Sequence, residues 1–332
     1  MKRVQIVCLI VIFGVVGSLA GCAPAKPAPD AVSVQLGWFH TVEFAGFYTA
    51  VEKGFYAQEN LAVSLLPGGP DIDPLTVVKE GTAQFGVTSG DNLVRARATN
   101  TAVTAIMAVY RRSPLVVMSL PDSGISRPQD LVGKTVGVIS EKLDSTWDIQ
   151  FLAMLKQLNI DANSLTFLPI EDYTGANELT SGRLQAVSGF FSTNEPVQAK
   201  LSGVQPNLIF YSDYGIQIYA NALFAQDALL NSNADLAQRL VRATLKGYAY
   251  ALEHPDEAAQ FARKFDETLD LTLQTATMNA QIPLIDNGDG VIGSMDLAVW
   301  QSTQDALLKQ GLLSTPIDLP TVFTNRFVAP VQ

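Results

Sequence analysis

The chain has 332 residues, 48% hydrophobic and only 16% charged, which suffices for two ordinary domains with real cores and is too apolar for a disordered protein. With 22 Lys+Arg against 32 Asp+Glu, a net charge of −10 leaves no basic stripe for a nucleic-acid backbone. Two Cys and two His exclude a Cys/His metal cluster and a disulfide scaffold.

Residues 1–21 read as a signal peptide. Lys2 and Arg3 precede an apolar-or-Gly run from Ile6 to Val16, about half of the ~20 residues a membrane-spanning helix needs. Leu19-Ala20-Gly21-Cys22 looks like the lipobox of bacterial lipoproteins. Small residues there fit a peptidase groove, and the Cys22 thiol is the nucleophile that accepts diacylglycerol. An ordinary signal peptide with a chance Cys is the alternative. The lipobox reading implies a palmitate-bearing lipoprotein held on the extracytoplasmic face of the cell membrane. Cys8 leaves with the signal, so the folded part has no cysteine. Residues 22–30, rich in Pro and Ala, read as an extended lipidated tether.

From Val32 the chain alternates strand-like and helix-like segments, the pattern of an α/β protein. Val32 to Leu36 predicts a strand and Phe44 to Lys53 a helix. Ala62 to Leu66 is the next strand, closed by the turn Pro67-Gly68-Gly69-Pro70. Asp73-Pro74 is an N-cap with Pro at the first helical position, and Gly81 stops that helix. Gln84 to Thr88 predicts a strand, and Ser89-Gly90-Asp91 caps a helix to about Ala98. Further strands are expected at Leu115 to Leu120, Thr135 to Ile139, Leu165 to Pro169, Ala186 to Phe190 and Leu208 to Ser212. Helices are expected at Asp144 to Leu158, Ala176 to Thr180 and Glu195 to Leu201. From about Ala234 the chain turns helical, with Leu236, Leu240, Leu245, Tyr248 and Leu252 on one stripe and His254-Pro255 ending it. A short internal echo sets Glu80-Gly81 and Gln84-Phe85-Gly86-Val87 against Ser181-Gly182 and Gln185-Ala186-Val187. Two such units suggest two lobes, with chance similarity as the rival.

Gly37-Trp38-Phe39, Phe44-Ala45-Gly46-Phe47-Tyr48 and Glu52-Lys53-Gly54-Phe55-Tyr56 resemble the opening of extracytoplasmic solute-binding proteins of ABC importers. The branch is that of thiamine-precursor-pyrimidine and riboflavin binders. Gly68-Gly69-Pro70-Asp71, Asn194-Glu195-Pro196, and Trp300 followed by Gly311-Leu312-Leu313 add to the match. The resemblance implies a two-lobe α/β, periplasmic-binding-protein-like fold with two crossover strands and a ligand cleft between the lobes. Lobe 1 would be discontinuous, 31–118 plus 216–332, and lobe 2 would be 119–215. It also implies ABC permease subunits with a cytoplasmic ATPase as partners, and a monomeric receptor.

In such sheets ligands sit beyond the carboxyl ends of strands, on the loops that start helices. Trp38, Phe39, His40, Phe44, Phe47 and Tyr48 follow the first strand closely, against 8% aromatic residues overall, and offer stacking faces to a flat heterocycle. Phe44, Phe47 and Tyr48 equally fit the core face of the first helix. The second lobe is expected to contribute Phe190, Phe191, Asn194 and Glu195. Glu195 reads either as a helix-dipole partner or as an acceptor for ligand N–H groups. Ser89 and Asp91 read as a cap or as ligand contacts, and Tyr110, Trp147 and Tyr214 as cleft walls. Lys and Arg are absent before Lys53 once the signal is removed, except for Lys26 in the tether, and between Leu184 and Lys200. Arg111-Arg112 is the one basic pair that could enter the cleft, and a solvated strand end is the commoner fate for it, so a neutral aromatic solute is expected rather than a sulfonate or phosphate.

No G-x-S-x-G, H-E-x-x-H or Walker-type loop is present, and nothing activates a nucleophile. Eukaryotic relatives of this fold that make the thiamine pyrimidine carry a cysteine-rich motif, which this chain lacks. Asp286-Asn287-Gly288-Asp289-Gly290 has Gly at the third position of a would-be calcium loop, so a tight turn before a helix capped near Ser294 is expected. The expectation is therefore a receptor without catalytic residues, metal or cofactor. Its ligand would be riboflavin or a close flavin, or alternatively an aminopyrimidine precursor of thiamine. A secreted enzyme on such heterocycles is the third reading.

Overall fold

The computed structural model describes residues 27–143, 145–171, 176–288 and 290–330. The signal peptide, Cys22 and most of the tether lie outside the described residues, as do Asp144 and Asp289. Strands β1 (Asp30–Gln35), β2 (Leu61–Leu66), β3 (Phe85–Thr88), β4 (Val103–Ala108) and β10 (Ala222–Gln226) form one sheet, ordered β2-β1-β3-β10-β4. Strands β5 (Leu115–Ser119), β6 (Thr135–Val138), β7 (Thr166–Pro169), β8 (Ala186–Phe191) and β9 (Asn207–Phe210) form the second, ordered β7-β6-β8-β5-β9.

The two sheets repeat one design. β1 runs parallel to β2 and β3 while β10 is antiparallel to β3 and β4; likewise β6 runs parallel to β7 and β8 while β5 is antiparallel to β8 and β9. The sequence echo falls on the equivalent strands β3 and β8. In both, the Gln before the strand anchors its neighbour: Gln84 Oε1 accepts from Ser33 N at 2.7 Å, and Gln185 Oε1 from Thr135 N at 2.9 Å. A glycine with φ near +77° stops the helix before each, at Gly81 and Gly182.

The chain passes between the sheets through residues 109–114 and again through 211–221, where Tyr211–Tyr214 make one 3-10 turn. This corrects the boundary at residue 118, because Leu115–Ser119 pairs with β8 and β9 and so belongs entirely to lobe 2. β4 and β10 were not anticipated; both are buried on two faces, so their apolar runs carry no alternation to distinguish strand from helix.

Helices α1 (Ala45–Glu52), α2 (Phe55–Gln58), α3 (Pro74–Lys79) and α4 (Gly90–Ala98) follow strands of the first sheet. Helices α5 (Thr146–Gln157), α6 (Ala176–Thr180) and α7 (Glu195–Leu201) serve the second. The C-terminal helices α8 (Asp227–Ser232), α9 (Ala234–Glu253), α10 (Pro255–Phe265), α11 (Leu271–Ile285) and α12 (Leu297–Gln310) return to the first lobe. α12 has Asp296 at its N-cap position, two residues beyond the expected Ser294. α9 buries Leu236, Leu240, Leu245 and Tyr248 as its stripe predicts. It crosses α1 so closely that a Cβ built at Gly247 would lie 2.0 Å from the Gly46 carbonyl oxygen. Only glycine permits that approach, and it seats α1 deep in the core with its Phe47 and Tyr48 buried. α12 spans the lobes: Trp300 packs in a first-lobe cluster that also takes Ile149, while Ala306 joins the second-lobe core.

Candidate ligand-binding cleft

A cavity of about 630 Å³ lies between the lobes, within the range of small-molecule sites. Trp38, placed just after β1, forms part of the first-lobe wall and meets Phe39 edge to face at 5.3 Å. Thr88 and Ser89 at the end of β3, with Asn92 and Arg95 one and two turns along α4, form another part. The loop 69–74 and the second crossing, through Ala220 and Asn221, complete that side. From lobe 2 come Ile139, the start of α5 with Ser145, Thr146 and Trp147, the end of β8 with Gly189, Phe190 and Phe191, and the start of α7 with Asn194 and Glu195.

Local chemistry fixes these groups. Asp148 accepts from Ile139 N at 3.0 Å, Ser140 N at 2.8 Å and Ser145 Oγ at 2.5 Å, which ties the loop after β6 to the start of α5 and aims Trp147. Gly189, at φ +82°, lies where a Cβ would come within 3.0 Å of the Trp147 Cβ, so its bareness admits the indole. Phe191 stands edge-on to both Trp147 and Tyr110, at 6.4 and 6.3 Å. Asn194 makes no side-chain cap bond with α7, which leaves its amide to the cavity.

Four acidic residues line the cavity: Asp71 and Asp73 in the loop 69–74, where Asp73 caps α3, and two glutamates, Glu43 and Glu195, one from each lobe. Glu43 sits in the 3-10 turn Val42–Phe44, which α11 grips through its backbone: Gln274 Oε1 accepts from Val42 N at 2.7 Å and Gln281 Nε2 donates to Val42 O at 2.9 Å. Its carboxyl accepts from Asn221 Nδ2 at 2.5 Å. Burial pushes the Glu43 pKa up to about 7, against that hydrogen bond. Glu195 rises to about 8, first from burial, with the Glu43 charge adding to it. Its Oε2 is sealed from solvent without a hydrogen-bond partner.

Of the residues singled out in the sequence, Trp38, Ser89, Trp147, Phe190, Phe191, Asn194 and Glu195 line the cavity. His40, Phe44, Tyr48, Asp91, Tyr110 and Tyr214 do not, and packing explains each. His40 Nδ1 and the Tyr48 hydroxyl are 3.0 Å apart, and both rings lean on Phe265 of α10. Phe44 and Tyr48 are fully buried in the first-lobe core. Tyr110 lies behind Phe191 and donates to Gln281 Oε1 at 2.8 Å. Asp91 is buried at the start of α4, its carboxyl raised by burial against the hydroxyls of Ser89 and Thr146 and the charge of Arg95. Tyr214 packs on the second-lobe core, its carbonyl held by Gln157.

The charge expectation also shifts. Arg111 is buried against Asn287 Oδ1 at 2.7 Å and Asp296 at 3.5 Å, Arg112 pairs with Asp213, and neither lines the cavity. The cation at the cleft is Arg95, exposed on the α4 rim. Helical spacing from Ser89 through Asn92 to Arg95 carried that signal. Glu43 and Asn221 also escaped sequence reasoning as cleft residues; Asn221 lies 178 positions from its partner. No group of three or more His, Cys, Asp or Glu able to hold a metal occurs among the described residues.

The family described as NMT1/THI5 like matches residues 41–258. The riboflavin-binding protein RibY of Chloroflexus aurantiacus is 29% identical over 93% of this chain and 91% of its own length. The formylaminopyrimidine-binding protein of Halalkalibacterium halodurans is 24% identical over 92% of this chain and 94% of its own. The solved periplasmic aliphatic sulphonate binding protein SsuA of Escherichia coli superposes with a TM-score of 0.68 at 14% identity, covering 88% of this chain and 91% of that one. That likeness establishes the periplasmic-binding-protein fold alone.

Proposed function

This chain belongs to the NMT1/THI5-like family, and we propose that it is a receptor that delivers a flat heterocycle to an ABC-type importer. The observation that carries the reading is the cleft itself: Trp38 from one lobe and Trp147, Phe190 and Phe191 from the other line a single cavity beside buried carboxyl and amide groups. Aromatic faces on both lobes let a planar ligand bridge them, and a ligand that contacts both favours the closed arrangement. Each of the two relatives named for a ligand is named for a heterocycle.

Riboflavin, or a close flavin, is the ligand we favour. Its large ring uses the aromatic walls, and its polyol finds Thr88, Ser89 and Asn92. The aminopyrimidine reading rests on Glu195, whose unpartnered oxygen suits an exocyclic NH₂. Binding, with no reaction, is the activity proposed, in a monomer that docks on permease subunits driven by a cytoplasmic ATPase. Cys22 supports a lipid anchor on the extracytoplasmic face. Titrating the purified protein into riboflavin should quench flavin fluorescence by stacking. Absence of quenching, together with calorimetric binding of 4-amino-5-hydroxymethyl-2-methylpyrimidine, would transfer the assignment to the pyrimidine. Cys22→Ser should release the protein from membranes, since a diacylglyceryl group holds where a single chain binds only marginally.

A further inference from the structure

Glu43 and Glu195 reach the same cavity from opposite lobes, and neither has a cationic partner among the described residues. Around Glu43 stand Asn221 from the second crossing, Tyr110 from the first, Tyr48 of α1 and Tyr248 of α9, the three phenols being held neutral by burial and by the Glu43 charge. Around Glu195 stand the backbone of its own turn and Glu43. Arg95, the cation on the rim, acts on Asp91 instead. Two ionised carboxylates enclosed together repel and lack solvation, whereas one retained proton turns the pair into a donor beside several acceptors.

We propose that Glu43 and Glu195 form a proton-sharing clamp: when the lobes close, the pair holds a proton taken from solvent and grips an uncharged ring edge that sets an N–H beside a carbonyl or ring nitrogen. The clamp deepens the receptor reading and rests on it. It admits the lactam edge of a flavin or the amino-imine edge of a pyrimidine and repels carboxylate, sulfonate and phosphate at that end. The sign follows from the two states. The clamp takes both groups, near 7 and 8 in this structure, to fall towards the ordinary carboxylate range when the cleft opens and admits water to them. Protons therefore favour closure fully below about pH 4.5, and that support is lost as pH rises through 7 to 8.

The test measures affinity for riboflavin, and separately for the hydroxymethylpyrimidine, between pH 5.5 and 9. Affinity should fall by up to about tenfold per pH unit above neutrality, the limit for one linked proton. Calorimetry in phosphate and in Tris at pH 7.5 should report uptake of up to one proton. Glu43→Gln and Glu195→Gln should each flatten the slope. Binding that is independent of pH and of buffer overturns the clamp while leaving the receptor reading intact. Difference infrared spectra of wild type and the two variants at pH 6.5, without and with each probe, should contain a protonated-carboxyl band that either substitution removes. Such a band with no binding of either probe keeps the clamp and rejects the heterocycle assignment; no band in any state overturns the clamp outright.

Discussion

In lobe 2, Trp147, Phe190 and Phe191 face the cavity; in lobe 1, Phe44, Phe47 and Tyr48 are sealed inside the core. Strand order and strand directions are the same in both halves. The difference comes from what covers the helices. α1 is roofed by α9 and α10, and the Gly46–Gly247 approach draws it inward, so its aromatic side chains serve packing. The start of α5 has no such roof on its cleft side, and the bare Gly189 opens room for Trp147 to stand at the wall. Equivalent topology thus commits these aromatics to packing in one lobe and to ligand surface in the other, with Trp38, Glu43, Ser89 and Asn92 among the first lobe's share of the site.

This division can be broken at its strongest point first. Phe44→Ala should destabilise the fold by about 3–5 kcal/mol, as for other buried Phe truncations, while riboflavin affinity of the folded fraction stays within about twofold. Urea unfolding alongside fluorescence titration separates the two effects, and a loss of affinity larger than the loss of stability would move Phe44 into the site. Gly247→Ala should cost about 1–3 kcal/mol or more through overpacking of α9 on α1, read as a lower unfolding midpoint. An unchanged midpoint would show that the crossing can relax.

On the other lobe the signs reverse. Trp147→Ala should weaken riboflavin binding by about 1–3 kcal/mol, the range for ring stacking on an aromatic side chain, with a smaller change in stability. Equal binding would assign that indole to lobe packing. The smallest effect belongs to the rim. Arg95→Gln removes an exposed charge on the rim and should alter affinity for the uncharged riboflavin by no more than about 1 kcal/mol, with little dependence on salt. A tenfold or greater loss would instead mark Arg95 as a direct contact for the ligand's tail.

Local signals made much of the fold legible. The Asp73-Pro74 start, the Gly81 and Gly182 stops and the α9 stripe each rest on residues a few positions apart, where backbone geometry follows from residue type. The second-lobe cleft residues were legible for the same reason: a strand end followed at once by Asn194-Glu195-Pro196 defines a loop at the mouth of a sheet.

What residue order determined by itself is the α/β alternation, the near absence of cysteine and the identity of the loops that meet at a cleft. Only the tertiary structure decided which aromatics of the first helix face inward, that β4 and β10 insert as strands, and that Arg95 rather than Arg111 stands at the cavity. It also decided that Glu43 meets Asn221 and shares its cavity with Glu195 of the opposite lobe. The physical reason is range. Caps and turns are settled by neighbours along the chain, whereas burial and the electrostatics of a carboxyl group depend on elements more than a hundred residues away that reach it only once the lobes have packed.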